Sequence, residues 1–297
     1  MSHHRVPDDE LHVPDHELHA IFEEEVAPFV FRNHQPTEHP ELVLLGAQPA
    51  AGKSRAQANI AREHPQIVPL TGDALRRFHP HYDDLMEHDP LAMPNATAQA
   101  SGAWVGMSID HARQHGYSLL LEGTFRDPDM TMGTAREFAE SGYRVHVVAL
   151  GVNERVSRLD SVNRYLSPGS GANRWTPATA HDLGYRMSPH TIQAAEESPH
   201  VHRVTVTDRT GQVLFTNTRT PDGDWDGPTG ARNALLAARD RPLPTDEARR
   251  WLTRREDHTA ALIRRGDLGP TTQPTMERLH ADADTVIRQA WPAPEDV

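Results

Sequence analysis

The chain of 297 residues can bury the core of one enzyme-sized domain, and its 30 basic against 42 acidic side chains give a net charge of −12, which argues against general binding to nucleic-acid backbones. It contains no cysteine, which excludes disulfides, thiolate catalysis and cysteine-based zinc sites. Because no stretch approaches about 18 apolar residues and no basic-then-apolar leader begins the sequence, we expect a cytoplasmic protein without a membrane segment.

The first predicted element is an N-terminal helical segment, residues 1–40. Within it, residues 8–32 are acidic and carry apolar side chains at helical spacing. Such a segment is as well suited to pack on the body of the protein as to bind a partner.

Four short apolar runs then alternate with helical stretches. The runs are "LVLLG" (42–46), "QIVPL" (66–70), "SLLLEG" (118–123) and "RVHVVAL" (144–150). The stretches between them are "SRAQANIAREH", "AQASGAWVGMSIDHARQHG" and "MGTAREFAESG", and the last two end at Gly116 and Gly142. Continuous apolar runs are typical of strands covered on both faces, so the alternation predicts an α/β fold with a mostly parallel central sheet between helices.

The pattern changes beyond residue 200. "VHRVTVTDRTGQVLFTNTR" (201–219) alternates around Arg209-Thr210-Gly211, which predicts a hairpin. Proline and glycine cluster at 219–230, and polar helices follow to the end of the chain. We therefore predict a core domain over residues 41–220 and a helical C-terminal extension over 221–297 that packs on the core.

The segment "AQPAAGKS" (47–54) joins the first strand of the core to its first helix. It matches the phosphate-binding pattern of Gly or Ala, four residues and Gly-Lys-Ser/Thr. Such a loop needs small residues that turn backbone N–H groups inward, a lysine that reaches the phosphates, and a hydroxyl for Mg²⁺ at a helix N-terminus. We predict Ser54 as the metal ligand and nucleotide binding by Gly46, Ala47, Gln48, Pro49, Ala50, Ala51, Gly52, Lys53, Ser54 and Arg55. The alternative is a plain strand-to-helix turn with an exposed lysine.

Asp73 follows the second strand, in "LTGDALRRFHPHYDDL". Ligands bind at the carboxyl edge of open α/β sheets, so Asp73 can face a substrate hydroxyl beside the transferred phosphate, as a base or an orienting acceptor. The alternative is that Asp73 only caps a helix that starts at Ala74. His79 and His81 suggest a metal pair, but no third ligand is spaced nearby, so surface or packing histidines are favoured.

The third strand ends in a second polar turn, "EGTFR". Glu122, Thr124 and Arg126 can present an acceptor, a hydroxyl and a cation to one polar ligand. A purely structural Glu–Arg pair in a turn is the alternative.

A run of arginines follows the fourth strand: Arg155, Arg158, Arg164 and Arg174, with a Gly/Ser-rich stretch between the last two. Phosphoryl transfer needs cations where charge develops, and arginines on a mobile lid commonly supply them. The residues alone do not choose among the four.

These segments together resemble the zeta-toxin family of P-loop kinases. "LLGAQPAAGKS" is similar to the family's Leu-Gly-Gly-Gln-Pro-Gly-x-Gly-Lys-Ser/Thr loop, and "GDALRRFHPHYDDL" to its Asp and His-Pro run. "LLLEGTFR" is similar to its Glu-Gly-Thr-x-Arg turn, and "NRYLSPGSGANRWTPATAHD" to its two-arginine lid. The order and rough spacing hold over about residues 20–220. The resemblance implies a P-loop NTPase/kinase-like three-layer fold with a C-terminal hairpin and a helical tail.

The resemblance also implies roles. Lys53 would contact the transferred phosphate and Ser54 the Mg²⁺, with ATP as the donor and GTP as its alternative. Asp73 would be the base for a sugar hydroxyl of a UDP-activated amino sugar, typically UDP-N-acetylglucosamine. The catalytic lid arginines would be Arg164 and Arg174, and the acceptor pocket would be lined by Glu122, Thr124 and Arg126. Family members often pair with a small antitoxin protein that covers the nucleotide site.

The chain departs from the family pattern at two places. Ala47 and Ala50 stand where the family usually has glycine, and alanine tolerates positive φ poorly. The family pattern leads us to expect an acidic substrate contact at the positions of Trp104, Val105 and Gly106. The sequence therefore does not fix the identity of the acceptor sugar. Two alternatives therefore remain: a phosphotransferase for another hydroxylated small molecule, such as a nucleotide cofactor or an antibiotic, and a non-catalytic nucleotide-binding protein.

Overall fold

The computed structural model describes residues 11–167 and 175–292, and one six-stranded sheet forms its centre. The strands are β1 (Glu41–Gly46), β2 (Val68–Leu70), β3 (Leu119–Gly123), β4 (Arg144–Leu150), β5 (Arg203–Thr207) and β6 (Val213–Thr218). Their order across the sheet is β2-β3-β1-β4-β5-β6, and only β6 runs antiparallel to its neighbour. The predicted parallel runs form β1 to β4, and the predicted hairpin forms β5 and β6.

Thirteen α-helices surround this sheet within the described residues. They are α1 (Asp15–Ile21), α2 (Ala27–Phe31), α3 (Lys53–Glu63), α4 (Gly72–Leu75), α5 (Tyr82–His88), α6 (Met93–Ala96), α7 (Ala98–His115), α8 (Pro128–Glu140), α9 (Glu154–Leu166), α10 (Ala178–Glu197), α11 (Ala231–Asp240), α12 (Thr245–Arg265) and α13 (Gln273–Ala290). A π-helical turn (Phe22–Val26) joins α1 to α2, and a 3-10 turn (Arg76–Phe78) follows α4.

The sheet is buried on both faces, as its apolar runs predict. Leu42 and Leu44 of β1 belong to one core cluster, whereas Val43 and Leu45 belong to the cluster on the opposite face. Successive side chains of a strand point to opposite faces, so a strand covered on both sides must be apolar throughout. This three-layer arrangement confirms the predicted α/β fold with a mostly parallel sheet.

Helix ends follow local capping chemistry. α7 ends at Gly116 in the left-handed conformation (φ 76°), as predicted. α8 begins at Pro128, four residues before the predicted start at Met132, because Asp127 accepts a hydrogen bond from the Met130 amide (2.9 Å) and proline suits the first turn.

The first and the last helices of the described residues both contact the core. The N-terminal helices lie on α7, where the Trp104 indole donates a hydrogen bond to the Leu18 carbonyl (3.0 Å). At the other end, α12 and α13 share a separate apolar cluster with α9, which includes Leu159, Trp251 and Leu279. Across the described ranges, no helix is both long enough and apolar enough to cross a bilayer.

Candidate active site

In the loop between β1 and α3, the lysine side chain donates hydrogen bonds to backbone carbonyl groups of the same loop. β1 ends at Gly46, and α3 begins at Lys53 after Gly52, which is left-handed (φ 98°). Lys53 Nζ donates hydrogen bonds to the carbonyl oxygens of Ala47 (2.9 Å) and Gln48 (3.2 Å), and Lys53 is buried. The ammonium and the first N–H groups of α3 therefore lie together, as in phosphate sites at helix N-termini.

Lys53 is also the only lysine in the chain, since all the other basic residues among the 30 are arginine. Arginine presents a planar fork, whereas lysine presents a compact charge on a flexible stem. An ammonium at this single position fits a phosphate loop, in which lysine acts as a point charge. This count is a second signal in the sequence, independent of the loop pattern.

The two alanines at family glycine positions differ in conformation. Ala50 has a φ of 59°, in the left-handed region. Ala47 is not among the described residues with positive φ, and it packs into the core cluster that contains Leu45. A left-handed alanine costs about 1–2 kcal/mol. The expected strain from replacing glycine is thus confined to Ala50.

The turn after β3 lies directly against the phosphate loop. Glu122 and Gly123 stand opposite Leu45 and Gly46 in the parallel pairing of β3 with β1. A side chain at Gly46 would overlap the ring of Phe125, so glycine is required there by close packing. The predicted acceptor turn and the phosphate loop are therefore in contact through the Phe125 ring and Gly46.

Phe125 fixes the shape of this turn. Its φ is 52°, and its carbonyl accepts a hydrogen bond from the Thr191 hydroxyl of α10 (2.9 Å). On either side of it, Thr124 is half-buried and Arg126 is exposed. No pattern in the sequence singles out Phe125, because its role depends on the close approach of Gly46.

Asp73 lies in the first turn of α4, just beyond the end of β2. The N-cap of α4 is Thr71, whose backbone is extended, so the helix starts at Gly72. The alternative in which Asp73 caps a helix starting at Ala74 is therefore wrong. The Asp73 carboxylate accepts a hydrogen bond from the Arg76 guanidinium (3.2 Å), and its side chain is 40% exposed.

Arg76 is itself anchored on the next segment of chain. Its guanidinium donates to the Pro94 carbonyl and to the Thr97 hydroxyl, both at 2.6 Å. Because β2 pairs with β3, Asp73 after β2 and Glu122 at the end of β3 lie at the same edge of the sheet as the phosphate loop.

The structure describes one of the two predicted lid arginines. Arg164 is in the last turn of α9 and donates a hydrogen bond to the buried Thr176 hydroxyl, just before α10. Arg174, the second predicted arginine, lies outside the described residues.

The other two arginines of this run are held in ion pairs. Arg158 is buried and pairs with Asp282 of α13 and with Glu154 (3.0 Å). Burial would lower the pKa of Arg158, but these carboxylates and Asp182 raise it on balance. Arg155 also approaches Asp282 (3.7 Å). Both arginines therefore hold α9 to α13.

His79 serves packing. Its Nε2 lies 3.1 Å from the Leu11 carbonyl, and burial lowers its pKa. No group of three or more potential metal ligands of the His, Cys, Asp or Glu type occurs within the part of the chain that the structure describes.

A buried polar network surrounds the Gln48 side chain, which is fully buried. Its amide donates to the Val152 carbonyl (2.8 Å) and the Ser157 hydroxyl (3.2 Å), and its oxygen accepts from Arg239 (3.1 Å). Sequence patterns indicated Gln48 only as a loop residue and did not indicate Arg239. No local signal could have found this contact, since 191 positions separate the two residues.

His181 extends this network to α10. Its Nε2 lies 2.9 Å from the Ser157 hydroxyl, and burial lowers its pKa to about 4, so the ring is neutral at pH 7. Asp182 lies on the other side of the ring (3.5 Å). This order resembles a Ser-His-Asp triad, but Ser157 is completely buried and therefore cannot reach a substrate.

Comparison with known proteins shows which family the sequence resembles. The family model for Zeta toxin matches residues 29–220. Toxin zeta of Enterococcus hirae is 24% identical over 211 residues, which cover 69% of this chain and 74% of that protein. Toxin PezT of Streptococcus pneumoniae serotype 4 is 27% identical over 190 residues, which cover 62% of this chain and 74% of that protein.

A solved structure from the PezAT chromosomal toxin-antitoxin system of Streptococcus pneumoniae has the same fold. The TM-score is 0.69 at 22% identity, and the match covers 85% of this chain and 99% of that chain. Since the family model also matches more than half of the sequence, the chain belongs to the zeta toxin family, whose members are known as ATP-dependent kinases.

Proposed function

We propose that this chain transfers a phosphate group from ATP to a hydroxyl of a UDP-linked amino sugar, with UDP-N-acetylglucosamine as the first candidate. The observation that carries the proposal is that Asp73 follows β2, Glu122 lies at the end of β3 and the phosphate loop follows β1, and these three strands lie side by side. A carboxylate that accepts a hydroxyl proton and a loop that holds the donor phosphate then share one edge of the sheet, as phosphoryl transfer requires.

The donor side fits a nucleoside triphosphate with Mg²⁺. Lys53 and the first N–H groups of α3 supply positive charge and hydrogen-bond donors to the phosphates. Ser54, the second residue of α3, is exposed and would hold Mg²⁺ through its hydroxyl. The ion would offset the negative charge of the phosphate groups.

The acceptor side supplies the base and the contacts to the sugar. Asp73 orients the hydroxyl and takes its proton as the oxygen attacks the γ-phosphorus, while the bond to the β-phosphate oxygen breaks and ADP leaves. Glu122, Thr124 and Arg126 bind the acceptor from the turn after β3.

The two predicted lid arginines supply positive charge to the reacting phosphate. Arg164 and Arg174 neutralise the charge that develops on the transferred phosphoryl group. Two observations support this role: the order of residues shared with the family, and the position of Arg164 at the end of α9.

The direct test incubates the purified chain with ATP, Mg²⁺ and UDP-N-acetylglucosamine. We expect ADP and a singly phosphorylated sugar nucleotide, identified by mass spectrometry, with the new phosphate located on the sugar by ³¹P NMR. ADP formation that does not depend on any UDP-sugar would contradict the proposal that a UDP-sugar is the acceptor. The Asp73→Asn chain serves as the control for chemistry at this site.

One observation favours a second acceptor class. Trp104 is fully buried and donates to Leu18, so it does not offer a substrate contact. The groups of α7 that lie against Gly72, the residue before Asp73, are neutral: the Ser101 hydroxyl donates to the Gly72 carbonyl (2.7 Å), and Val105 lies beside it. A different hydroxylated small molecule, such as a nucleotide cofactor or an antibiotic, fits a neutral pocket wall. An acceptor panel with labelled ATP separates the two classes, and a lack of ADP with every acceptor would indicate a non-catalytic nucleotide binder.

We also propose that a small antitoxin protein covers the nucleotide site. The support is the similarity to PezT and to a structure from a toxin-antitoxin system. The Asp73→Asn chain, purified from its own cells, is expected to carry a small protein that blocks nucleotide binding. A copurified protein that leaves nucleotide binding unchanged would contradict this proposal.

A further inference from the structure

Helix α11 reaches the phosphate loop from outside the segment that the family model matches. That match ends at residue 220, before α11 begins. A side chain at Gly151, directly after β4, would meet Ala238, so α11 packs at backbone distance on the C-terminal end of β4. The Asn153 side chain also donates to the Arg239 carbonyl (3.0 Å). The last turn of α11 therefore lies at the edge of the sheet that carries the phosphate loop.

The Arg239 side chain points inward and is almost completely buried, at 2% exposed. Its guanidinium donates to Gln48 Oε1 (3.1 Å), to the Ser188 hydroxyl and to the Tyr185 carbonyl (2.6 Å), and it lies 4.2 Å from the centre of the Tyr185 ring. Its Nε is buried without a hydrogen-bond partner among the described residues. Among the described residues, every group that accepts a hydrogen bond from Arg239 is neutral.

A buried cation whose hydrogen-bond partners are neutral is costly, and burial lowers the pKa of Arg239 to about 10, against the opposing charges of Glu154 and Asp240, which raise it. The guanidinium nevertheless stays charged at neutral pH. A positive charge in a low-dielectric site attracts an anion strongly. The polyphosphate of a nucleotide bound on the adjacent loop is an anion of suitable charge and place.

Gln48 connects Arg239 to Lys53. The two hydrogen bonds that the Gln48 amide donates, to Val152 and Ser157, and the one that its side-chain oxygen accepts fix the orientation of the side chain. The backbone carbonyl of the same residue accepts a hydrogen bond from Lys53 Nζ (3.2 Å). Loss of the Arg239 guanidinium therefore loosens the residue on which the lysine rests.

We propose that Arg239 is a positioning residue of the phosphate loop, which holds Gln48 in place and adds a buried positive charge to the site of the nucleotide polyphosphate. Helix α11 is then part of the nucleotide site. The inference rests on nucleotide use by the loop, as in the proposed function, and not on the identity of the acceptor.

The single lysine makes a sharp test possible. Protein labelled with [¹⁵N]lysine gives one backbone amide signal, that of Lys53, which reports on the loop directly. Titration with ADP and Mg²⁺ measures Kd for the parent, for Arg239→Met, for Arg239→Lys and for Arg232→Met. Arg232 lies on the same helix but lines a separate cavity with Gln193 and Glu197, so it is a matched control.

We expect Arg239→Met to shift the Lys53 signal without nucleotide and to raise Kd about tenfold or more, as for loss of a hydrogen bond from a charged donor. The KM for ATP rises in parallel, while the KM for the acceptor stays near the parent value, which a general loss of structure would not produce. Arg239→Lys keeps the charge and gives a smaller rise, and Arg232→Met matches the parent. In a cycle with Gln48→Met, the two effects on Kd are less than additive.

The proposal is overturned if Arg239→Met folds, leaves the Lys53 signal unshifted and binds ADP with a Kd within about twofold of the parent. Loss of a hydrogen bond from a charged donor should change Kd by more than twofold. If Arg239→Met does not fold, the same criteria apply to Gln48→Met, which removes the same contact from the other partner. Failure of the parent to bind nucleotide contradicts the proposed function instead, and a shifted Lys53 signal in nucleotide-free Arg239→Met still supports the positioning role.

Discussion

The donor side and the acceptor side of the candidate site are built differently. On the donor side, Gln48 and Lys53 are 0% and 8% exposed, and both donate hydrogen bonds to backbone carbonyls. On the acceptor side, the Asp73 side chain is 40% exposed and accepts its bond from Arg76 within one turn of helix. The donor cradle is thus formed by the fold itself, whereas the acceptor carboxylate stays accessible to a substrate.

This difference separates binding from turnover. Fixed donors in a dry cradle bind phosphate without reorganisation, while an accessible base acts only when the acceptor arrives. We expect changes on the donor side to alter nucleotide binding and stability, and changes on the acceptor side to alter turnover at nearly constant stability. The predictions below test this separation.

The largest effect is expected for Lys53→Ala. Lys53 is expected to contact the phosphates both in the bound nucleotide and in the transition state, so phosphoryl transfer should fall by roughly 10³-fold or more. ADP release measures the loss, and circular dichroism checks that the chain stays folded. Arg62→Ala, at an exposed position of the same helix, is the control and should leave ADP release unchanged. Parent-like turnover in Lys53→Ala would remove the nucleotide assignment.

The next effect is expected for Asp73→Asn. Loss of a general base lowers turnover by roughly 10²- to 10⁴-fold. Stability should change by less than about 1 kcal/mol, because an exposed ion pair with Arg76 contributes little and Asp73 is not the N-cap. Acceptor-dependent ADP production and thermal unfolding measure the two quantities. Full activity of the Asn chain would mean that Asp73 is not the base.

A smaller effect is expected for Arg164→Ala and Arg174→Ala. Each cation acts on charge that grows in the transition state, so turnover should fall by about 10²-fold while ATP affinity changes less. Kinetics at saturating ATP and equilibrium binding of ADP separate the two. Arg155→Ala serves as the control on α9, because its ion pair is with Asp282. Unchanged turnover in both variants would mean that neither arginine stabilises the transferred phosphoryl group.

The phosphate loop could be predicted from the sequence because its pattern is local. A strand, a small-residue turn with Gly52-Lys53-Ser54 and a helix follow one another without interruption, and the structure has this order. The site of Asp73 at the end of β2 follows from the same alternation. Its place within the helix did not follow, because an extended Thr71 starts α4 earlier than the charge pattern suggests.

The supports of the loop could not be predicted. Phe125 matters only because it lies against Gly46, and Arg239 only because it meets Gln48 across 191 positions. Such contacts depend on how helices pack on the finished sheet. The buried pair of Arg158 with Asp282 is of the same kind, since it joins residues 124 positions apart.

His181 gives the donor side a dependence on pH. Burial lowers its pKa from 6.5 to about 4, so the folded protein favours the neutral ring. The contribution of this ring to stability is complete above the unfolded pKa and is lost as pH falls from about 6.5 towards 4, to a limit of about 3 kcal/mol. Urea unfolding at pH 7.5 and pH 5 should therefore show a steeper loss in the parent than in His181→Gln. Equal losses in both chains would contradict a neutral buried ring.

The smallest effect concerns the two alanines of the loop, and its sign differs between them. Ala50→Gly relieves about 1–2 kcal/mol of left-handed strain at φ 59° but adds about 0.4–1 kcal/mol of chain entropy to the unfolded state, for a net gain of up to about 1.6 kcal/mol. Ala47→Gly removes a buried methyl group from the cluster with Leu45, at a position not among those with positive φ, so it should destabilise by about 1 kcal/mol. Denaturant unfolding of the nucleotide-free proteins measures both changes. If both substitutions shift the free energy of unfolding in the same direction, backbone strain at Ala50 does not distinguish the two positions, and the donor cradle is less rigidly set than its contacts indicate.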